Sequence, residues 1–208
     1  MNFVPASREL LAEVLLAAGP TAPTLCAGWQ ARHLAAHLVL RERSWLAAGL
    51  LLKPLARKME AELDRRAEQA RDRGAFIDLV NEFRQGAPRL SPLSISRVDD
   101  SANLTEFFIH AEDARRAGDR WAPRVLDSRY EDLLWKDLVR RAGIYYRGTE
   151  TGIILVRHDG QRHVVRKAQS SVAIIGRPGE ILLHASGRRA EALVTFEGTQ
   201  EAIALLSS

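Results

Sequence analysis

The chain has 208 residues, of which 46% are hydrophobic and 27% charged, with a formal charge of +4. These are the proportions of an ordinary globular chain forming one large or two small domains, and they exclude a disordered, collagen-like or disulfide-stapled protein. The 30 basic residues divide into 26 arginines and 4 lysines, dispersed in pairs such as Arg65-Arg66 and Arg140-Arg141 among acids, so no nucleic-acid-binding stripe forms.

Met1 to Leu10 lacks a basic stretch followed by an apolar core and does not read as a signal peptide. Ser7 is placed to cap a first helix, whose apolar residues Leu10, Leu11, Val14 and Leu15 fall at helical spacing before Gly19-Pro20 stops it. Thr24 to Gly28 reads as a loop holding Cys26 as a small apolar residue. A lone cysteine cannot form an internal disulfide, and the chain reads as cytoplasmic. Trp29 opens a long amphipathic helix with Leu34, His37, Leu38, Arg41 and Trp45 spaced by three or four residues. The apolar run Trp45 to Leu52 lies between Arg43 and Lys53 and is far shorter than the ~18 residues of a membrane span.

Glu60 to Arg73 alternates acids and bases, as a solvated helix face does. Phe76, Leu79, Val80 and Phe83 form the stripe of another helix, ended by Gly86-Ala87-Pro88. Ser91 to Asp100 is a connection, Leu104 to Ala117 a helix closed by Gly118, and Ser128 with Glu131 a capping box for a helix running to Gly143.

The period then changes. Gly152 to Val156 and His163 to Val165 flank Asp159-Gly160, a hairpin signal. Ser171 to Ile175 is a third strand, and Pro178 starts a helix running to Gly187. Ala192 to Phe196 is a fourth strand and Thr199 to Leu206 a last helix. The expectation is a mainly α, α+β chain: a helical bundle over residues 1–147 and a small α+β module over residues 148–208.

Three histidines fall on the bundle helices. His33 and His37 are four residues apart, as are Glu106 and His110. Residues at i and i+4 share a helix face, so each pair can grip one divalent cation, and bundles build metal sites by facing such pairs inward. A carboxylate on the apolar stretch Glu106-Phe-Phe-Ile-His110 must be paired, protonated or metal-bound. The spacing leaves other readings open. Asn103 to Glu106 also fits a capping box, His110 fits a hydrogen-bonded core histidine, and His33 fits a surface residue.

Two segments, Cys26 to Leu38 and Glu106 to Arg116, resemble the metal-binding helices of the mycothiol-dependent maleylpyruvate isomerase family, within the DinB-like group of four-helix bundles. The stretch Gly179 to Arg188 is similar to that family's C-terminal module, in the same order along the chain. The resemblance implies a divalent metal, usually zinc, held by His37, Glu106 and His110. His33 stands where the family commonly has an acid. The resemblance further implies mycothiol or another small thiol as nucleophile, a small electrophilic or anionic substrate, and Arg188 as the cationic catalytic residue. Asp113, one turn beyond His110, is placed to orient a ligand. A non-catalytic metal-containing binding protein is the alternative. A small-molecule substrate or thiol and a second copy of the chain are the expected partners, without nucleic acid or membrane. The preference for arginine over lysine matches the codon bias of GC-rich actinobacterial genomes, where mycothiol is used.

Overall fold

Pro5 sits in the first turn of the first helix, where its missing N–H leaves no bond unmade. In the computed structural model, which describes residues 2–43, 53–86 and 100–207, this helix α1 (Val4–Ala18) starts ahead of Ser7. Ser7 is buried inside it, its N–H bonded to the Phe3 carbonyl at 2.9 Å, so the expected Ser7 cap is not used. Gly19, at φ 85°, ends α1 in a conformation open to glycine. There follow α2 (Ala31–Arg43), α3 (Lys53–Gln69), α4 (Arg73–Gln85) and α5 (Asp100–Arg115). The apolar run 45–52 and the segment 87–99, which includes most of the expected connection, lie outside the described residues.

The chain divides into two compact units, Met1–Ala122 and Pro123–Ser208. In the first, α1 packs against α5 and α4, and α2 against α3 and α4. Leu11 and Leu15 of α1, Leu34 and Leu38 of α2, Phe76 and Phe83 of α4 and Phe107 of α5 form the shared core. Burying each such side chain stabilises the fold by roughly 1.5–3 kcal/mol. Phe83 and Phe107 meet edge to face at 5.4 Å. The Arg8 guanidinium lies over both rings, 4.9 Å and 4.8 Å from their centroids. It also grips Glu42 with two hydrogen bonds of 2.6 and 2.7 Å and donates to the Phe83 carbonyl at 2.9 Å. One side chain thereby joins α1 to α2, α4 and α5.

α5 is unusual in being buried nearly all round. Leu104, Phe107, Phe108, Ile109 and Ala111 are buried, and so are His110, Glu112 and Asp113. Glu112 is matched by Arg116 at 2.6 Å, and the Arg116 guanidinium lies 4.3 Å from the centroid of Trp121. Such polar burial is tolerable only because each charge has a partner.

The second unit holds α6 (Ser128–Tyr145), the strands β1 (Gly152–Arg157), β2 (Arg162–Arg166) and β3 (Ser171–Gly176), α7 (Pro178–Ala185), a short strand β4 (Thr195–Glu197) and α8 (Gln200–Ser207). A boundary after residue 147 would leave α6 with the bundle helices. In the structure α6 packs on α7 and β2. Its N-cap is Asp127, whose Oδ1 accepts from the Arg129 N–H at 2.9 Å, one residue before the expected Ser128. Glu131 is drawn away from that box because Arg177 donates to its carboxylate at 3.1 Å.

The sheet order is β2-β1-β3-β4, with β1 and β3 parallel and both outer pairs antiparallel. The hairpin forms at Asp159-Gly160, with Gly160 at φ 93° and the Asp159 carboxylate accepting from the Gln161 N–H. Gly152 is required where β1 meets β3, since a Cβ there would lie 2.2 Å from Ser171 Oγ. The fourth strand begins three residues later than expected. The Leu193 N–H bonds the Glu180 carboxylate at 2.9 Å instead of a neighbouring strand. His184 of α7 is buried in this unit, its Nδ1 3.0 Å from the Tyr146 hydroxyl and its ring 5.5 Å from that of Phe196. Among the described residues no helix is long and apolar enough to cross a membrane.

Candidate metal centre

α2 and α5 each carry polar residues at successive turns, and these turns face one another. His37 and Arg41 come from α2; Asn103, Glu106, His110 and Asp113 come from α5. The Glu106 Oε1 atom lies 3.1 Å from His110 Nε2 and 3.4 Å from His37 Nε2. The two imidazole rings meet edge-on at 5.2 Å. One donor atom from each of His37, Glu106 and His110 falls within 4.8 Å of the others. Two imidazole nitrogens and one carboxylate oxygen in such reach suit zinc or another divalent ion, so the residues present fit a cation.

α5 starts at Asp100, so Asn103 lies inside the helix and does not cap it. Its side-chain oxygen accepts from Arg41 Nη1 at 2.8 Å, and Glu106 is turned toward α2. Burial pushes the Glu106 carboxyl upward, but hydrogen bonds from His110 and His37 and the Arg41 charge override it and hold the group far below the usual carboxylate range. Burial likewise pulls His110 down, yet the bond to Asp113 and the neighbouring Cys26 and Glu106 raise it well above an ordinary histidine. The cluster is therefore a partly buried place where positive charge is favoured. A metal binding there exchanges for a proton.

His110 is oriented from behind. Its Nδ1 lies 2.9 Å from Asp113 Oδ2, which aims Nε2 at Glu106; once the ring gives up its Nε2 proton, the proton kept at Nδ1 would leave the Nε2 lone pair for a cation. Asp113 is itself fully buried and held by the loop before α2. Cys26 Sγ donates to Oδ2 at 3.2 Å, and the Leu25 N–H donates to the Asp113 carbonyl at 3.0 Å. Cys26 is thus a polar member of the cluster, not merely a small apolar loop residue. No local pattern reveals it, because its partner is 87 residues away. The position of Asp113, by contrast, follows from its i+3 spacing to His110.

His33 has a different task. Its Nδ1 accepts from the Gln30 N–H at 3.1 Å and so closes the first turn of α2. Burial and the adjacent Arg32 lower its pKa, which suits a neutral acceptor. Arg188 belongs to the second unit, where it is half-buried and donates from Nη1 to the Ser186 carbonyl at 2.6 Å.

A family model described as the mycothiol maleylpyruvate isomerase N-terminal domain matches residues 5–127, a span that contains every residue of this cluster. The chain belongs to the mycothiol maleylpyruvate isomerase family. Two solved structures share the fold of this family member. One, a variant of the mycothiol-dependent maleylpyruvate isomerase, is 18% identical with a TM-score of 0.64. A second, described as the mycothiol-dependent maleylpyruvate isomerase, is 17% identical with a TM-score of 0.58. Each comparison covers 94% of this chain and 90% of the other. No curated protein matches the chain.

Proposed function

We propose that this family member is a thiol-dependent isomerase or transferase built on a divalent metal, most simply zinc, held by His37, Glu106 and His110. The observation that carries the reading is the convergence of those three donors within 4.8 Å at the facing turns of α2 and α5. Three protein ligands leave room for a further one, the arrangement of catalytic rather than structural zinc. When bound, the ion supplies Lewis acidity and lowers the pKa of a coordinated thiol or water.

The chain's own residues supply the rest. Asp113 holds the His110 ring so that Nε2 is available, and the buried α5 keeps Glu106 and His110 on one face. Mycothiol, named for the structural neighbours, is the proposed thiol, and a small electron-poor, anionic molecule like maleylpyruvate the proposed substrate. Such a thiol, if bound there, would supply a nucleophile for an electron-poor double bond and would be recovered unchanged after an isomerisation. Arg188 is the proposed cationic clamp of the second unit.

Metal analysis of the purified protein is the first test. About one equivalent of zinc, nickel or manganese per chain supports the reading, and less than about a tenth overturns it. His37→Ala and His110→Ala should each empty the centre, and metal-loaded protein supplied with mycothiol and maleylpyruvate should consume the latter without consuming the thiol.

A further inference from the structure

The cluster on α2 and α5 contains one cation that the ligand set does not use. Arg41 stands one turn beyond His37 on α2, and its Nε lies 3.7 Å from Glu106 Oε1, the same oxygen that faces both imidazoles. Its Nη1 is steadied by Asn103 at 2.8 Å, so the guanidinium is held in place by α5 while it belongs to α2. Exposure across the cluster is graded. The Glu106 side chain is 29% exposed and Arg41 19%, against 14% for His37 and 9% for His110. Glu106 and Arg41 are thus the more exposed members of the cluster, so an anion that approaches Glu106 meets the guanidinium beside it.

Charge points the same way. A divalent ion held by one carboxylate and two neutral imidazoles carries a net charge of +1, and the adjacent guanidinium raises the local sum to +2. A neutral ligand leaves that charge unbalanced, whereas a thiolate and a carboxylate together cancel it. A guanidinium presents paired N–H donors that match a planar carboxylate, which an ammonium does not.

We propose that Arg41 is the specificity-determining anion clamp of this centre: it receives the carboxylate of the substrate, or of another anion, bound beside Glu106 at the metal. The inference rests on the metal reading above and adds a recognition residue within the first unit itself. Arg41 binds and positions; it takes and gives no proton.

The test uses cobalt-loaded full-length protein, whose visible absorption reports ligands entering the coordination sphere. Acetate is the anionic probe and imidazole the neutral one. Arg41→Gln should weaken acetate binding about 10–100-fold, the loss expected when a charge-assisted hydrogen bond is removed, while imidazole binding stays within about threefold. Metal affinity should hold or rise, because a positive neighbour of the ion has been removed. Arg41→Lys should recover only part of the acetate affinity. If Arg41 merely props Glu106, the glutamine variant will lose metal affinity, and acetate and imidazole will weaken together; that pattern overturns the proposal. Equal acetate affinity in wild type and variant also overturns it. Failure of the wild-type protein to take up cobalt would overturn the metal reading instead, so the two failures are distinguishable.

Discussion

His110 in the first unit and His184 in the second are both buried, and each turns its Nδ1 to a neighbour about one hydrogen bond away. Their fates are opposite. His110 faces the carboxylate of Asp113 and is raised well above the ordinary histidine value. His184 faces the neutral phenol of Tyr146, and burial, with the charge of Arg189, takes it down to about 4. Burial disfavours the charged imidazole in both places, so the partner decides the outcome. A carboxylate behind the ring lets a buried histidine keep its charge; a phenol leaves it neutral in the core.

The largest effect expected along this contrast comes from Glu106→Gln, which keeps the shape but removes the charge between the two imidazoles. Metal content, read by mass spectrometry of the native protein, should fall below about a tenth of an equivalent. Retention of a full equivalent would move the centre elsewhere.

Next in size is the pH dependence of the His184 side. Its pKa in the folded chain lies below the 6.5 of the free side chain, so the unfolded chain binds the proton more readily. The associated stability is complete above pH 6.5 and is lost as the pH falls toward 4. Urea unfolding of wild type and His184→Gln should therefore show the difference between them shifting by up to ~3 kcal/mol in the variant's favour between pH 7 and 4. Parallel curves would show that His184 is not held neutral.

Asp113→Asn tests the contrast most directly, because it gives His110 a neutral partner like that of His184. Affinity for zinc, measured against a competing chelator, should drop about 10–100-fold with the fold intact. An unchanged affinity would mean that the ring is oriented by packing alone. The smallest effect belongs to His33→Ala. It removes the acceptor for the Gln30 N–H and should cost about 0.5–1.5 kcal/mol while leaving metal uptake unaltered. Loss of metal in this variant would place His33 among the ligands.

Much of this organisation is written in local pattern. The i+4 spacings of α2 and α5, the Asp159-Gly160 turn and Pro178 at a helix start are short-range rules that survive folding intact. What escapes local reading depends on competition or distance. Ser128 and Glu131 match a capping box, yet Asp127 supplies the cap and Arg177 takes the glutamate. Ala192 to Val194 have strand-like composition, but the Glu180 carboxylate captures the Leu193 N–H first. Cys26 and Arg41 gain their meaning only across helices, from Asp113 and from Asn103 with Glu106. The family resemblance singles out His37, Glu106 and His110, and the i+3 spacing offers Asp113, while Cys26 and Arg41 emerge only from packing.

Arg8 bears on what holds α2 and α5 side by side. It grips Glu42, five residues beyond His37, and lies over Phe107, the neighbour of Glu106. A side chain of α1 thus ties together the two helices that carry the candidate donors. The packing that brings α2 and α5 together therefore does not run through the three candidate donors. A protein stripped by chelation should stay folded and reload, unlike a zinc finger, whose fold waits for its metal.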